Sequence, residues 1–225
     1  GGVNMSRSIE NPMSLIFKYL AVSILFMFIG FMFGQIFIPV SFVYYANMIF
    51  MFLMIGLLIM SLLSRKNIIP RSFSMNFVYV FTFIDGILTY PLLQYYLEDL
   101  GKNVFTSILV ASIVLFSVLA KIASRKESGH YLGLGNILFA GLTSILIASI
   151  INIFIGGAMI SLVISIIGVV IFSGYVLYDI SLIKHEIQNG EIREKNELSI
   201  HVLNLYLDFI NILLDLLNIA SILDD

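Results

Sequence analysis

Six polar side chains interrupt the otherwise apolar run "IHVLNLYLDFINILLDLLNIA": His201, Asn204, Asp208, Asn211, Asp215 and Asn218. Their spacing alternates between three and four residues. On a helix they therefore fall within about 100° of arc, with Leu, Ile, Tyr and Phe opposite. A carboxyl at the centre of a bilayer costs about 2.5–3.5 kcal/mol on insertion scales. Two on one helix require that the polar face look into the protein or at water, so this helix is expected to be well enclosed. Asparagines such as Asn204 and Asn211 commonly bond helix to helix. Asp208 brings a charge that such bonding does not need, which makes it the stronger functional candidate.

A partner lies on the preceding apolar segment, "GVVIFSGYVLYDISLIKHE". There Ser161, Ser165, Gly168, Tyr175 and Asp179 share one side, and the small residues allow close helix approach. Asp179 lies near the end of its segment, and Asp208 lies about 15 Å into the returning one. Two consecutive antiparallel helices would bring both into the same half of the membrane. The competing reading for Asp179 is an acid at a helix end paired with Lys184. Two carboxylates within hydrogen-bonding reach share a proton and titrate as a pair. Protonated, they lock two helices together; deprotonated, they repel or bind a hard cation such as Ca²⁺, which favours all-oxygen ligation. A third acid, Asp85 in "FTFIDGILTYPLL", has Thr82 and Thr89 on its face. Gly86 and Pro91 beside it predict a close contact and a kink. Asp85, Asp208 and Asp215, with Asn204 and Asn211, are candidates to line a polar path with Asp179 at its mouth.

The elements that must carry these groups are membrane spans. The chain has 225 residues, 60% hydrophobic and 12% charged, against about 45–50% apolar and about 25% charged in soluble domains. Seven segments reach the roughly 20 apolar residues that a helical span needs: 16–38, 40–63, 73–97, 104–120, 131–154, 158–183 and 198–222. The chain is therefore an all-α membrane protein of one seven-helix domain, whose short breaks make sequential helices antiparallel neighbours. Gly1 to Asn4, ahead of Met5, are expected to be a non-native remnant, and the first span is read as retained. With the N-terminus cytoplasmic, Arg7, Lys18, Arg65, Lys66, Arg71, Lys121, Arg125, Lys126, Lys184, Arg193 and Lys195 fall inside and only Lys102 outside, so the C-terminus is outside. The net charge of −2 argues against a nucleic-acid partner, and the lack of cysteine removes disulfides and thiolate metal sites. No Ser/His/Asp grouping, HExxH motif or Gly-rich phosphate loop marks an enzyme or a cofactor site. His130, His185 and His201 are read as interfacial. Without a Lys on the last helix, a retinal Schiff base is excluded.

The segments "VIFSGYVLYDISLIKHEI" and "LNLYLDFINILLDLL" resemble the signature of the Bax inhibitor-1 family, also called the transmembrane Bax inhibitor motif family. "FTFIDGILTYPLL" and "GLTSILIASIINIFI" are similar to it as well. The resemblance implies a seven-helix fold with the last helix central and wrapped by the other six. It implies a pH-sensitive Ca²⁺ leak in a bacterial cytoplasmic membrane, with Asp179 and Asp208 as the pH sensor. It also implies an arginine near the inner end of the second helix that competes for the aspartates; Arg65 fits that role best, with Arg71 as the alternative. Asp215 and Asn218 depart from the family pattern. The same resemblance admits a non-conducting regulator of a membrane protease or other membrane partner, which would place weight on Ser6 to Met13. A proton-coupled transporter is a third reading, which the lack of an internal repeat weakens.

Overall fold

The computed structural model describes residues 11–225. Gly1 to Asn4, Arg7 and the start of the Ser6–Met13 segment lie outside the described residues. Every regular element is helical: α1 (Pro12–Phe37), α2 (Ala46–Arg65), α3 (Met75–Leu100), α4 (Lys102–Arg125), α5 (Gly135–Ile155), α6 (Ala158–Gln188) and α7 (Ser199–Asp224). Short 3-10 turns at Val40–Tyr45, Leu132–Leu134 and Lys195–Leu198 lead into α2, α5 and α7. All seven helices are long and apolar enough to cross a membrane.

Local sequence explains the ends. The side chain of Asn11 accepts the backbone N–H of Ser14, and Pro12 occupies the first turn, where its missing N–H costs nothing. Ser74 caps α3 in the same way through the N–H of Asn76. The α5–α6 turn is only Gly156 and Gly157, with φ of 69° and 123°, a conformation that side chains rarely adopt.

The helix order in space departs from the chain order. Consecutive antiparallel neighbours hold for α2–α3, α3–α4, α5–α6 and α6–α7, but α1 packs chiefly on α3, and α4 on α6. The reason is a pair of glycines. A Cβ on Gly30 would collide with the carbonyl oxygen of Phe83, and one on Gly86 with that of Met27. The two backbones touch where both side chains are missing. Gly86 does mark a close contact, and α3 runs through Pro91 as one helix.

α7 is the enclosed helix. Its residues from Ser199 to Asp215 are buried without interruption. α1, α2, α3, α4 and α6 contact it directly, and α5 closes the ring by packing on α2 and α6. At one end of the bundle Phe73 N–H bonds Asn196 O, Gly129 N–H bonds Ser181 O, and Lys184 reaches the carbonyls of Ser124 and Lys126. This end carries nearly all the described lysines and arginines and is called the basic end below. At the far end Ser221 on α7 donates to Asp99 on α3 at 2.6 Å.

Candidate functional site

Near the basic end, three helices meet at one guanidinium. Arg65 is the last residue of α2, Asp179 lies late in α6 and Asp208 early in α7. Nη2 of Arg65 donates to Asp179 Oδ2 at 2.9 Å and to Asp208 Oδ1 at 2.9 Å. Its Nη1 donates to the carbonyl of Ser61 at 3.1 Å. The guanidinium carbon stands 3.7 Å from the centroid of the Tyr175 ring, a stacked cation–π contact. The side chain of Asp208 is fully buried, and those of Asp179 and Arg65 are nearly so. Arg65, not Arg71, is therefore the arginine between the two carboxylates. Lys184 is turned away onto backbone carbonyls, so Asp179 is no Lys184-paired helix-end acid.

The cluster is unbalanced in charge and in bonding. With both carboxylates ionised, one guanidinium leaves a negative charge uncompensated in a buried setting, where such charge is costly. Asp208 Oδ2, Arg65 Nε and the Tyr175 hydroxyl are buried with no hydrogen-bond partner among the described residues. Asp208 Oδ2 is thus an acceptor with spare capacity, able to take a proton or a cation. A Ca²⁺ ion using both carboxylates must displace the guanidinium from between them.

A second layer lies beyond the first, toward the basic end, and sequence reading missed it. Glu186 on α6 pairs with His201 on α7 and also with Arg71. His201, in the first turn of α7, is 4% exposed and so lies inside the bundle rather than on its surface. A signal was available. Glu186 follows Asp179 by seven residues and His201 precedes Asp208 by seven, two helical turns each. On antiparallel helices the two pairs must stack. Glu191 and Glu197 join Arg71, Glu186 and His201 around a cavity of about 100 Å³.

The remaining candidates divide. Asn204 is buried with Oδ1 unpartnered; Asn211 donates to the carbonyl of Leu207 at 2.7 Å and also leaves Oδ1 free. Asp215 is buried against Gly168 of α6, where any Cβ would strike its carboxylate. These groups stay on the Asp208 side of α7. Asp85 does not. It accepts the hydroxyl of Tyr206, and residue 206 lies about 160° around α7 from residue 208. Thr89 donates to the Asp85 carbonyl at 2.5 Å. The expected path through Asp85, Asp208 and Asp215 therefore loses Asp85, which sits across the central helix from the other two. Among the described residues, no three His, Cys, Asp or Glu side chains gather as a metal site.

The chain matches one family model over its whole described length and several known proteins over part of it. A family model described as "Inhibitor of apoptosis-promoting Bax1" matches residues 10–225. An uncharacterized membrane protein of Streptococcus pyogenes is 40% identical over 119 residues, 52% of this chain and 51% of the relative. An uncharacterized membrane protein of Vibrio cholerae is 32% identical over 160 residues, 70% of this chain and 67% of the relative. A probable Bax inhibitor 1 of Paralichthys olivaceus is 30% identical over 146 residues, 64% of this chain and 59% of the relative. The chain thus spans about half the length of the streptococcal relative that it matches.

Proposed function

The chain belongs to the Bax inhibitor-1 family, and from that premise we propose that it is a passive, pH-sensitive Ca²⁺ leak gated by the Asp179–Asp208 pair. It sits in a bacterial cytoplasmic membrane with its basic end toward the cytoplasm. The single observation that carries this reading is the shared guanidinium. One nitrogen of Arg65 holds carboxylates from α6 and α7, so α2, α6 and α7 are tied at one point.

The tie responds to protons. When both carboxylates are ionised, Arg65 faces two negative charges and the three helices are held together. A proton on the pair, taken at the free Oδ2 of Asp208, removes one of those charges and weakens the hold. Opening then lets α2 move away from α7. Asp208 and Asn211 offer oxygen ligands to a passing Ca²⁺, and Ca²⁺ competes with Arg65 for the Asp179 and Asp208 carboxylates. Flux is therefore expected to rise as the pH falls.

The test is reconstitution of the full chain in liposomes loaded with a Ca²⁺ dye, with flux followed from mildly acidic to mildly alkaline pH. Flux above that of empty liposomes, rising with acidity and losing its pH response in Asp179→Asn, supports the reading. Flux equal to that of empty liposomes, or an intact pH response in that variant, overturns it.

A further inference from the structure

We propose that the far half of the bundle holds a binding site for one dehydrated, sodium-sized monovalent cation, built from Asp215 and the side-chain oxygens of Asn152, Ser149, Ser161 and Ser165. The site is separate from the Asp179–Asp208 pair and does not rest on the leak reading. Asp215 follows Asp208 by seven residues, about 10 Å along α7.

The five groups come from α5, α6 and α7 and line one small cavity of about 20 Å³, closed on another side by apolar residues of α2 such as Met54. That space admits a single water-sized sphere. Ser149, Asn152, Ser165 and Asp215 are all more than nine-tenths buried. Among the described residues Asp215 takes part in no salt bridge, unlike Asp179, Asp208 and Glu186. A lone buried carboxylate is neutralised either by a positive partner or by a proton.

The hydrogen-bond inventory points the same way. Ser149 spends its hydroxyl proton on the carbonyl of Ile145 at 2.6 Å, so its oxygen has only lone pairs left to offer. The amide of Asn218 spends both hydrogens on Ser161 and Ser165, at 2.9 and 2.8 Å. Its own Oδ1 is taken by the Tyr96 hydroxyl. Asn152 Oδ1 is buried and its residue lines the cavity, and among the described residues it has no hydrogen-bond partner. Ser161 and Ser165 accept the Asn218 hydrogens and keep only their own two hydroxyl protons, so the wall holds more acceptors than donors once the Asp215 carboxylate, Asn152 Oδ1 and Ser149 are counted. A cation satisfies several acceptors at once.

Charge selects its valence. One carboxylate balances one positive charge and leaves a neutral site. Ca²⁺, which takes six to eight oxygens and is usually held by several carboxylates, would leave an uncompensated positive charge here. Gly168 contributes by absence. Asp215 lies against the backbone of α6 in space that any larger residue would occupy, so its carboxylate is held at the cavity.

The experiment is thermal unfolding of the detergent-purified full chain in NaCl, LiCl, KCl, CaCl₂ or choline chloride at constant ionic strength. A cation that binds only the folded form raises the midpoint with the logarithm of its concentration once the site is saturated. NaCl is expected to raise the midpoint over choline chloride. Asp215→Asn is expected to lose the response, and Asp208→Asn to keep it. Asn152→Ala is expected to weaken the apparent sodium affinity about tenfold, through loss of one neutral ligand, and it serves if Asp215→Asn does not fold. Equal midpoints in NaCl and choline chloride would mean that Asp215 is neutralised by a proton alone, and would overturn the proposal. So would a sodium response surviving Asp215→Asn or unchanged in Asn152→Ala, or a shift with CaCl₂ and none with NaCl.

Discussion

Asp179 and Asp208 lie on different helices, yet each accepts a hydrogen bond from the same nitrogen of Arg65, both at 2.9 Å. Among the described residues neither carboxylate has another positively charged partner. The two are therefore not independent, and what happens to one is felt by the other through the guanidinium.

Removing Arg65 leaves two buried carboxylates without compensation. Breaking a buried pair from one side costs about 3–5 kcal/mol, so Arg65→Ala is expected to lower stability by that order. Arg65→Lys is expected to recover only part of the loss, because an ammonium lacks the planar fork and the stacking on Tyr175. Thermal unfolding of both variants in one detergent checks this. Equal stability of Arg65→Ala and the parent would contradict it.

The same geometry predicts non-additivity. Asp179→Asn and Asp208→Asn are expected to couple by about 0.5–3 kcal/mol in a double-mutant cycle. Asp85→Asn, across α7, is expected to add independently to Asp208→Asn. A cycle in which Asp85 couples and Asp179 does not would mean that the central helix is rotated from the position described.

Asp85 has its own test. Tyr206 donates its hydroxyl to that carboxylate inside the bundle. Tyr206→Phe leaves the acceptor buried and short of a donor, a loss of about 1–3 kcal/mol. The pH response of Ca²⁺ flux is expected to stay unchanged, since the Arg65 cluster is untouched. An altered pH response would return Asp85 to the ion path.

The α1–α3 contact predicts a steric effect. Gly86→Ala forces a methyl into the Met27 carbonyl, and overpacking of this kind costs about 1–3 kcal/mol or more. Gly56→Ala is the control, because nothing lies near its Cβ position. Unfolding midpoints should fall for the first variant and not the second.

Orientation is open to direct measurement, since the chain has no cysteine background. Lys102→Cys and Lys126→Cys place exposed thiols at opposite ends of the bundle. In intact cells an impermeant maleimide is expected to label the first and reach the second only after lysis. The reverse pattern would invert the basic end.

The spans were legible because a bilayer demands about 20 apolar residues at a stretch, and seven stretches meet that demand. The enclosure of α7 was legible because its polar row at helical spacing is intolerable facing lipid. Packing partners were harder. Gly86 signalled a close neighbour, but nothing local to it names Gly30, more than fifty residues earlier. Asp85 looked like a member of the polar path because its depth was readable and its direction was not; Tyr206, on the far face of α7, decides that. The pairing of Glu186 with His201 is readable in principle from their seven-residue offsets, but both stand near polar loops, where a titratable side chain is ordinary.

The position of α7 after the other six also has a consequence for biosynthesis. A chain enters the membrane from its N-terminus, so the surrounding helices are inserted before their central occupant exists. During that interval Arg65 and Asp179 have only each other, and the hollow between α2, α4 and α6 has no filling. α7, with its row of polar groups, must then pass from the insertion machinery directly into that cradle rather than into lipid. A chain stopped after α6 would be a shell with a charged lining, which makes it a natural substrate for membrane quality control.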